Sequence, residues 1–394
     1  MIDSIFIAQT GLQGFENGLR TIANNTANLN TPGFKGQSTM FGDLFYGQSA
    51  FVSNGGLHFG SFGNGLATLG TSINFQAGTL QTTNNPLDLA LQGQGFFILR
   101  DSNGTIHYTQ DGQFKFDTNG VLVSSVTGED VMALDGGGNL VPITIANLQS
   151  NPAKATGTIT FGGNLSSTVT TDTVSNVTVY DSAGTAHTLS LVLKPVTGTP
   201  GSWTATLMEG AIAVGAGTLV FQNGRPTAGS AQVAITYTPA GGAAIPLTLD
   251  FSANVTSFDS GTTSSLAVTK QDGFGSGTLS QTSFDAAGTL VLTYSNGQTV
   301  KDKQLALGQF QSVDDVESIG NSEFIAKGGS QWKVGVAGAG QFGQVKSGQV
   351  EMSNVDLSGE FSNLVIMQRG YQACSQVIST SNDMLSTLFG MWNK

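Results

Sequence analysis

Two stripes of apolar residues, one at each end of the chain, limit what it can fold into. Near the start, Ile5, Ala8, Leu12, Phe15, Leu19, Ile22, Thr26 and Leu29 follow one another in alternating steps of three and four. That is the heptad seam of a helix shaped to meet another helix. Near the end, Phe361, Leu364, Gln368, Tyr371, Ser375, Ile378, Asn382, Leu385 and Phe389 repeat the spacing. Here Leu364, Tyr371, Ile378 and Leu385 keep one position apolar in every repeat, while the other is mostly polar after Phe361. Asp356 stands where a cap belongs, and Glu360 falls in the first turn, where a negative charge suits the helix dipole.

A lone amphipathic stripe usually marks a helix packed on its own domain. Two features weigh against that reading here. The stripes sit at opposite ends, and Gly11, Gly14 and Gly18 interrupt the first, each costing about 1 kcal/mol relative to alanine. Each buried large side chain contributes about 1.5–3 kcal/mol, which must offset about 1–2 kcal/mol for every residue ordered. Neither end is expected to be stable alone. Both are expected to order against each other and against neighbouring copies, through Ile5, Leu12, Phe15, Leu19, Ile22 and Leu29 on one side and Phe361, Leu364, Gln368, Tyr371, Ile378 and Leu385 on the other.

The first helix is expected to stop abruptly. Asn24, Asn25, Asn28 and Asn30 crowd the stretch NNTANLNTPGFKGQ, and Pro32 and Gly33 follow, with Phe34 after them. Asparagine and Pro-Gly end helices. Beyond this point the period changes from about 3.6 to 2. QGQGFFILR, GTIHYTQDGQFKF, SNVTVYD, HTLSLVLK and GTLVLTYS read as strands. DSNG, DTNG, DSAG, DAAG and YSNG recur between such runs, each with glycine fourth, as hairpin turns require.

The expected fold is therefore mainly β with terminal α-helices. A terminal helical, coiled-coil domain takes residues 1–70 (with a crossing segment) and 355–394, an inner β domain 71–145 and 271–354, and an inserted outer β domain 146–270. Between about 153 and 270 the composition shifts to Thr, Ser, Ala and Gly, and QDGFGSGTL then restarts the earlier style.

Charged residues are only 10% of the sequence and the net charge is -11, so no basic run exists to meet a nucleic acid. No apolar run reaches the roughly 20 residues of a membrane span, and no membrane insertion is expected. One cysteine, Cys374, rules out an internal disulfide framework. MIDSIFIAQTG lacks the pattern of a cleaved leader, so the expectation is a cytoplasmic protein or one exported by a leaderless route.

No active site is legible, and neither enzyme activity, cofactor nor metal is expected. GAGQFG satisfies G-x-G-x-x-G, but the alternating QVKSGQVEM that follows opens a strand, where a dinucleotide site needs a helix. His58, His107 and His187 are isolated, without metal-ligand spacing. Cys374 has no base near it in sequence and reads as a packing residue.

The opening stretch NNTANLNTPGFK closely resembles the signature of the bacterial flagellar rod and hook family. FGDLFY, NPLDLALQGQGFF and YTQDGQFKFDTNGVLV continue the resemblance, and QDGFGSGTL and YSNGQT look like the returning half of that family's inner β domain. Residues 351–385 resemble its C-terminal helix. Hook-building members match best, with distal rod members as the alternative; a secreted β-rich adhesin is a poorer reading. The resemblance implies a homopolymer: many copies forming the short curved tube that joins rod to filament, transmitting torque while bending. It implies as partners the distal rod protein, the hook cap and the hook–filament junction proteins. It implies export without a cleaved leader by the flagellar type III apparatus, a channel enclosed by the paired terminal helices, and residence in the extracellular hook of the flagellum. Phe15 to Leu19 weakly fits the Phe-x-x-x-apolar pattern of early export substrates.

Overall fold

The computed structural model describes residues 2–44, 46–53, 56–312, 315–329 and 332–392, with backbone only at 46–62. Helix α1 runs from Ile2 to Ala27 and helix α2 from Leu357 to Trp392. Asp356 caps α2, its Oδ1 accepting from Ser358 N at 3.0 Å.

The two helices pack together as an antiparallel pair, and four contacts fix its register. Asn25 Nδ2 donates to Glu360 Oε1 at 2.8 Å. A Cβ added to Gly18 would stand 3.0 Å from Met367 Sδ, and one added to Gly11 would stand 2.7 Å from Cys374 Sγ. The hydroxyls of Ser4 and Ser381 lie 3.4 Å apart. Each step moves seven residues back along α1 and seven forward along α2.

The closest contacts fall one residue from half of the periodic positions. Ala8 and Ile22 are buried and Phe15 meets Gly370, while Gly11, Gly18 and Asn25, beside Leu12, Leu19 and Thr26, make the close approaches to α2. On α2, Glu360, Met367, Cys374 and Ser381, beside Phe361, Gln368, Ser375 and Asn382, make the close contacts. Leu364, Ile378 and Leu385 are half-buried, whereas Phe361 is 55% exposed, Tyr371 is 42% exposed and Gln368 faces solvent. Close approach is the reason. Phe15 lies over Gly370, where any Cβ would strike its ring. The glycines that weaken α1 in isolation therefore let the axes close, and the larger side chains move to the flank. Gly370→Val should force the pair apart at a cost of about 1–3 kcal/mol. Loss of helical far-ultraviolet dichroism at a lower temperature, with the β signal unchanged, would register it.

The chain forms two compact units, one of Met1–Ala146, Thr282–Val291 and Lys301–Lys394, the other of Asn147–Gln281 and Leu292–Val300. In the first, Phe96–Arg100 pairs antiparallel with Ile106–Thr109 and with Asp130–Leu134, and Glu323–Ala326 extends the sheet beyond Ile106–Thr109. Phe96, Ile98, Tyr108, Met132 and Phe324 fill its core, flanked by Phe75, Phe310 and Trp332. Tyr108 and Trp332 stack with centroids 3.7 Å apart.

The second unit packs a five-stranded sheet against a four-stranded one. Asp172–Tyr180, Ala186–Pro195, Ser202–Glu209, Ile212–Gln222 and Arg225–Pro226 follow in sequence order as antiparallel neighbours. In the other sheet Gln232–Tyr237, Ile245–Thr256, Thr158–Asn164 and Ala267–Gln271 lie side by side. Alternating residues of both sheets supply one core, with Trp203, Tyr237, Phe161 and Phe251 fully buried. Side chains at Gly215 and Gly217 would collide with Ile235 and Val233, so glycine there lets the sheets close.

The expected turns form. In each Asp-led turn the fourth-position glycine has positive φ and its N–H returns to the aspartate carbonyl, as in Gly120 N to Asp117 O at 3.1 Å. Asp117 Oδ1 also accepts from Asn119 N and Val121 N. Such backbone donors hold the carboxyls of Asp117, Asp135 and Asp181 below the usual range.

Candidate functional site

The stretch from Asn24 to Gln37 joins α1 to the first strands. Asn24 and Asn25 still belong to the helix, which ends at Ala27, so the break falls later than the asparagines announced. Asn28 closes the last turn: its Nδ2 donates to Asn24 O at 2.9 Å, and its Oδ1 accepts from Thr31 Oγ1 at 3.1 Å. Pro32 and Gly33 then redirect the chain. Gly33 has φ of 67°, and a Cβ there would stand 2.5 Å from Asp111 N, so both conformation and space demand glycine. Gly33 N donates to Glu351 O at 2.8 Å.

Four buried or part-buried side chains lock this bend to the chain entering α2. Asn25, 1% exposed, donates to Gln37 O and Glu360 Oε1 and accepts from Gln37 N. Lys35 Nζ meets Glu351 Oε1 at 2.7 Å and Gln76 O at 3.0 Å, while Gly78 N donates to the same glutamate oxygen at 2.7 Å. Both charged side chains are almost wholly buried, at 1% and 2% exposure. Asn354 accepts from Gly36 N and donates to the carbonyls of Asn74 and Gln76. A buried ion pair is tolerable only with such additional partners.

Pro32, Phe34, Asn24, Asn28, Asp111 and Asn321 border a groove of about 390 Å³ beside the bend. Leu29 and the exposed Asn30 line a shallower one. Burial pushes the Asp111 carboxyl up to about 6, with the Asp88 charge adding to the effect. Ile5, Leu12 and Leu19 are half-buried on α1.

Lys35, Glu351 and Asn354 occur in the quoted motifs, yet no local pattern singled them out. The signal was scarcity: in a chain with 15 Lys and Arg residues, a lysine straight after Pro-Gly-Phe is conspicuous. His187 Nε2 donates to Asp181 Oδ2 at 3.2 Å, and His107 Nδ1 meets Glu129 at 2.9 Å. The side chain of His58 lies outside the described residues. After GAGQFG comes the strand Gln344–Ser347, as the alternation required. Cys374 is half-buried against α1 beside Gly11.

Three family models match the chain. Residues 5–35 match the flagella basal body rod protein, 90–166 the D1 domain of the flagellar hook protein FlgE/F/G, and 346–391 the C-terminal region of the flagellar basal body rod FlgEFG protein. The first and last contain the two partners of the Lys35–Glu351 pair. The flagellar hook protein FlgE of Salmonella typhimurium is 32% identical over 98% of this chain and 98% of its own. This chain belongs to the flagellar hook protein family. Escherichia coli FlgE is likewise 32% identical over 98% of both chains, and that of Borreliella burgdorferi 28% identical over the whole of both. The crystal structure of Helicobacter pylori flagellar hook protein FlgE2 matches 68% of this chain and 99% of its own with a TM-score of 0.52. At 13% identity that similarity concerns the fold alone; this chain is mostly β, with terminal helices packed together. Among the described residues no helix is long and apolar enough to cross a membrane.

Proposed function

We propose that this chain is the structural subunit of the flagellar hook, polymerising into a curved, flexible tube that carries torque from rod to filament. The observation that carries the reading is near-complete coverage by hook relatives. Self-contact that does not close generates a helical tube without a template. The paired terminal helices are assigned to the inner layer around the export channel, and the exposed apolar flank of α2, with Phe361, Tyr371 and Phe389, is available to neighbouring copies. The domain limits proposed are 1–70 with 355–394 for the helical domain, 71–145 with 271–354 for the inner β domain, and 146–270 for the outer one. Export by the flagellar type III apparatus without a cleaved leader, and contacts with the distal rod, hook cap and junction proteins, belong to the same proposal. Catalysis has no part in it.

Electron microscopy with an antibody against residues 153–270 tests the assignment. Label along a short curved stub at the filament base is the expected result; label confined to the rod would transfer the chain to the distal rod, and label scattered over the envelope would defeat both. The crossing segment is assigned to bracing between adjacent subunits. Replacing Asn28 and Asn30 together with alanine is therefore expected to impair assembly and motility while the purified β units keep their melting temperature. Hooks of normal number and length in that double variant would remove the segment's role.

A further inference from the structure

We propose that His107, Glu129 and Glu323 form a site for one divalent transition-metal ion of the zinc type. His107 lies on the strand Ile106–Thr109, Glu323 begins the neighbouring strand Glu323–Ala326, and Glu129 immediately precedes the strand Asp130–Leu134. His107 Nδ1 stands 2.9 Å from both Glu129 oxygens and 3.8 Å from Glu323 Oε2. One ligand atom from each residue lies within 4.8 Å of the other two. A tetrahedral ion with bonds of about 2.0–2.2 Å holds its ligand atoms about 3.3–3.6 Å apart. The three side chains therefore need only small rotations to close on one ion, and the strands that carry them are already hydrogen-bonded together.

Two observations beyond proximity point to a cation. Glu323 is 4% exposed, and among the described residues no lysine or arginine pairs with it or with Glu129. Thr127 Oγ1, which lies against Glu323, is shielded from solvent without a well-formed hydrogen bond. Two carboxylates and a poorly satisfied hydroxyl thus face one imidazole, and a doubly charged ion balances the carboxylates. The donor set selects the ion's class. An imidazole nitrogen with two carboxylates suits zinc, whereas calcium takes six to eight oxygens and magnesium keeps mostly water and oxygen. The imidazole binds as its Nε2–H tautomer, and water takes the fourth position. His187 offers a contrast: its acids approach different ring nitrogens, Asp181 at Nε2 and Glu209 at Nδ1, so no single ion reaches both. The bound ion would cross-link three strands of the first unit.

Isothermal titration of the full chain, stripped with EDTA and then given zinc chloride, tests the site. One zinc per chain is expected, with a melting temperature that rises with zinc concentration and returns on adding EDTA. His107→Ala and Glu323→Gln should each weaken binding at least about tenfold, and His187→Ala should leave it unchanged. Melting each variant in EDTA separates a lost ligand from a lost fold, and Glu129→Gln supplies a third ligand variant should one of the others not fold. Absence of saturable binding by the unmodified chain, or equal binding by all three ligand variants, would overturn the proposal.

Discussion

Lys35→Met is expected to destabilise the first unit by about 3–5 kcal/mol, the cost of leaving a buried charge without its partner. Glu351 would remain buried, keeping the Gly78 amide but losing the counter-ion it has among the described residues. The remedy distinguishes this account from simple loss of packing. Adding Glu351→Gln to the lysine variant removes the stranded charge while retaining an acceptor for Gly78 N, so it should recover much of the loss. Chemical denaturation of the two single variants and the double variant measures the coupling directly. If Lys35→Met alone costs less than about 1 kcal/mol, the pair is not what holds the bend to the chain entering α2.

Asp111→Asn is expected to act in the opposite direction. Its carboxyl is 9% exposed and titrates at about 6, above the ordinary aspartate value of 3.8. The folded chain therefore holds that proton more tightly than the unfolded chain does. The contribution to stability is greatest below pH 4, falls as the pH rises from about 4 to about 6, and is level above that. Each tenfold difference in proton affinity between the two states is worth about 1.4 kcal/mol, so the fall across this window is about 3 kcal/mol. Asparagine has no charge to desolvate and can still accept from Gln113 N at Oδ1. The variant should therefore be more stable than the parent at pH 7, equal to it at pH 4, and missing this component of the pH profile. Asp88 and Glu323 act in the same neighbourhood, and Glu323 is itself raised by burial, so the measurement belongs in EDTA with both left intact. An unchanged profile in Asp111→Asn would assign the acid dependence elsewhere.

The parts of this fold that periodicity revealed are those governed by neighbours in sequence. Asp-x-x-Gly turns were legible because one aspartate oxygen and one glycine suffice to make them, as at Asp117 and Gly120. The helices and their pairing were legible, but not where they come closest. A heptad is read from large apolar residues such as Leu12, Leu19 and Phe361, whereas the close contacts fall at Gly11, Gly18 and Glu360. What draws α1 and α2 together there is absence of bulk, which no hydrophobic scale records. The junction was visible only as a helix stop. That Asn25 is a buried clamp, and that Lys35 finds Glu351, depends on chain segments more than three hundred residues apart. His107, Glu129 and Glu323 likewise become neighbours through strand pairing, not spacing.

The Lys35–Glu351 contact spans 316 positions of the chain. On the proposed export route, a subunit threaded from its beginning would expose Lys35 early and Glu351 almost last. Until the second arrives, the first has water as its partner and no reason to leave it. The bend at Gly33, whose amide also waits for the Glu351 carbonyl, stays equally uncommitted. A chain cut short before Glu351 would lack the counter-ion that makes burying the lysine favourable.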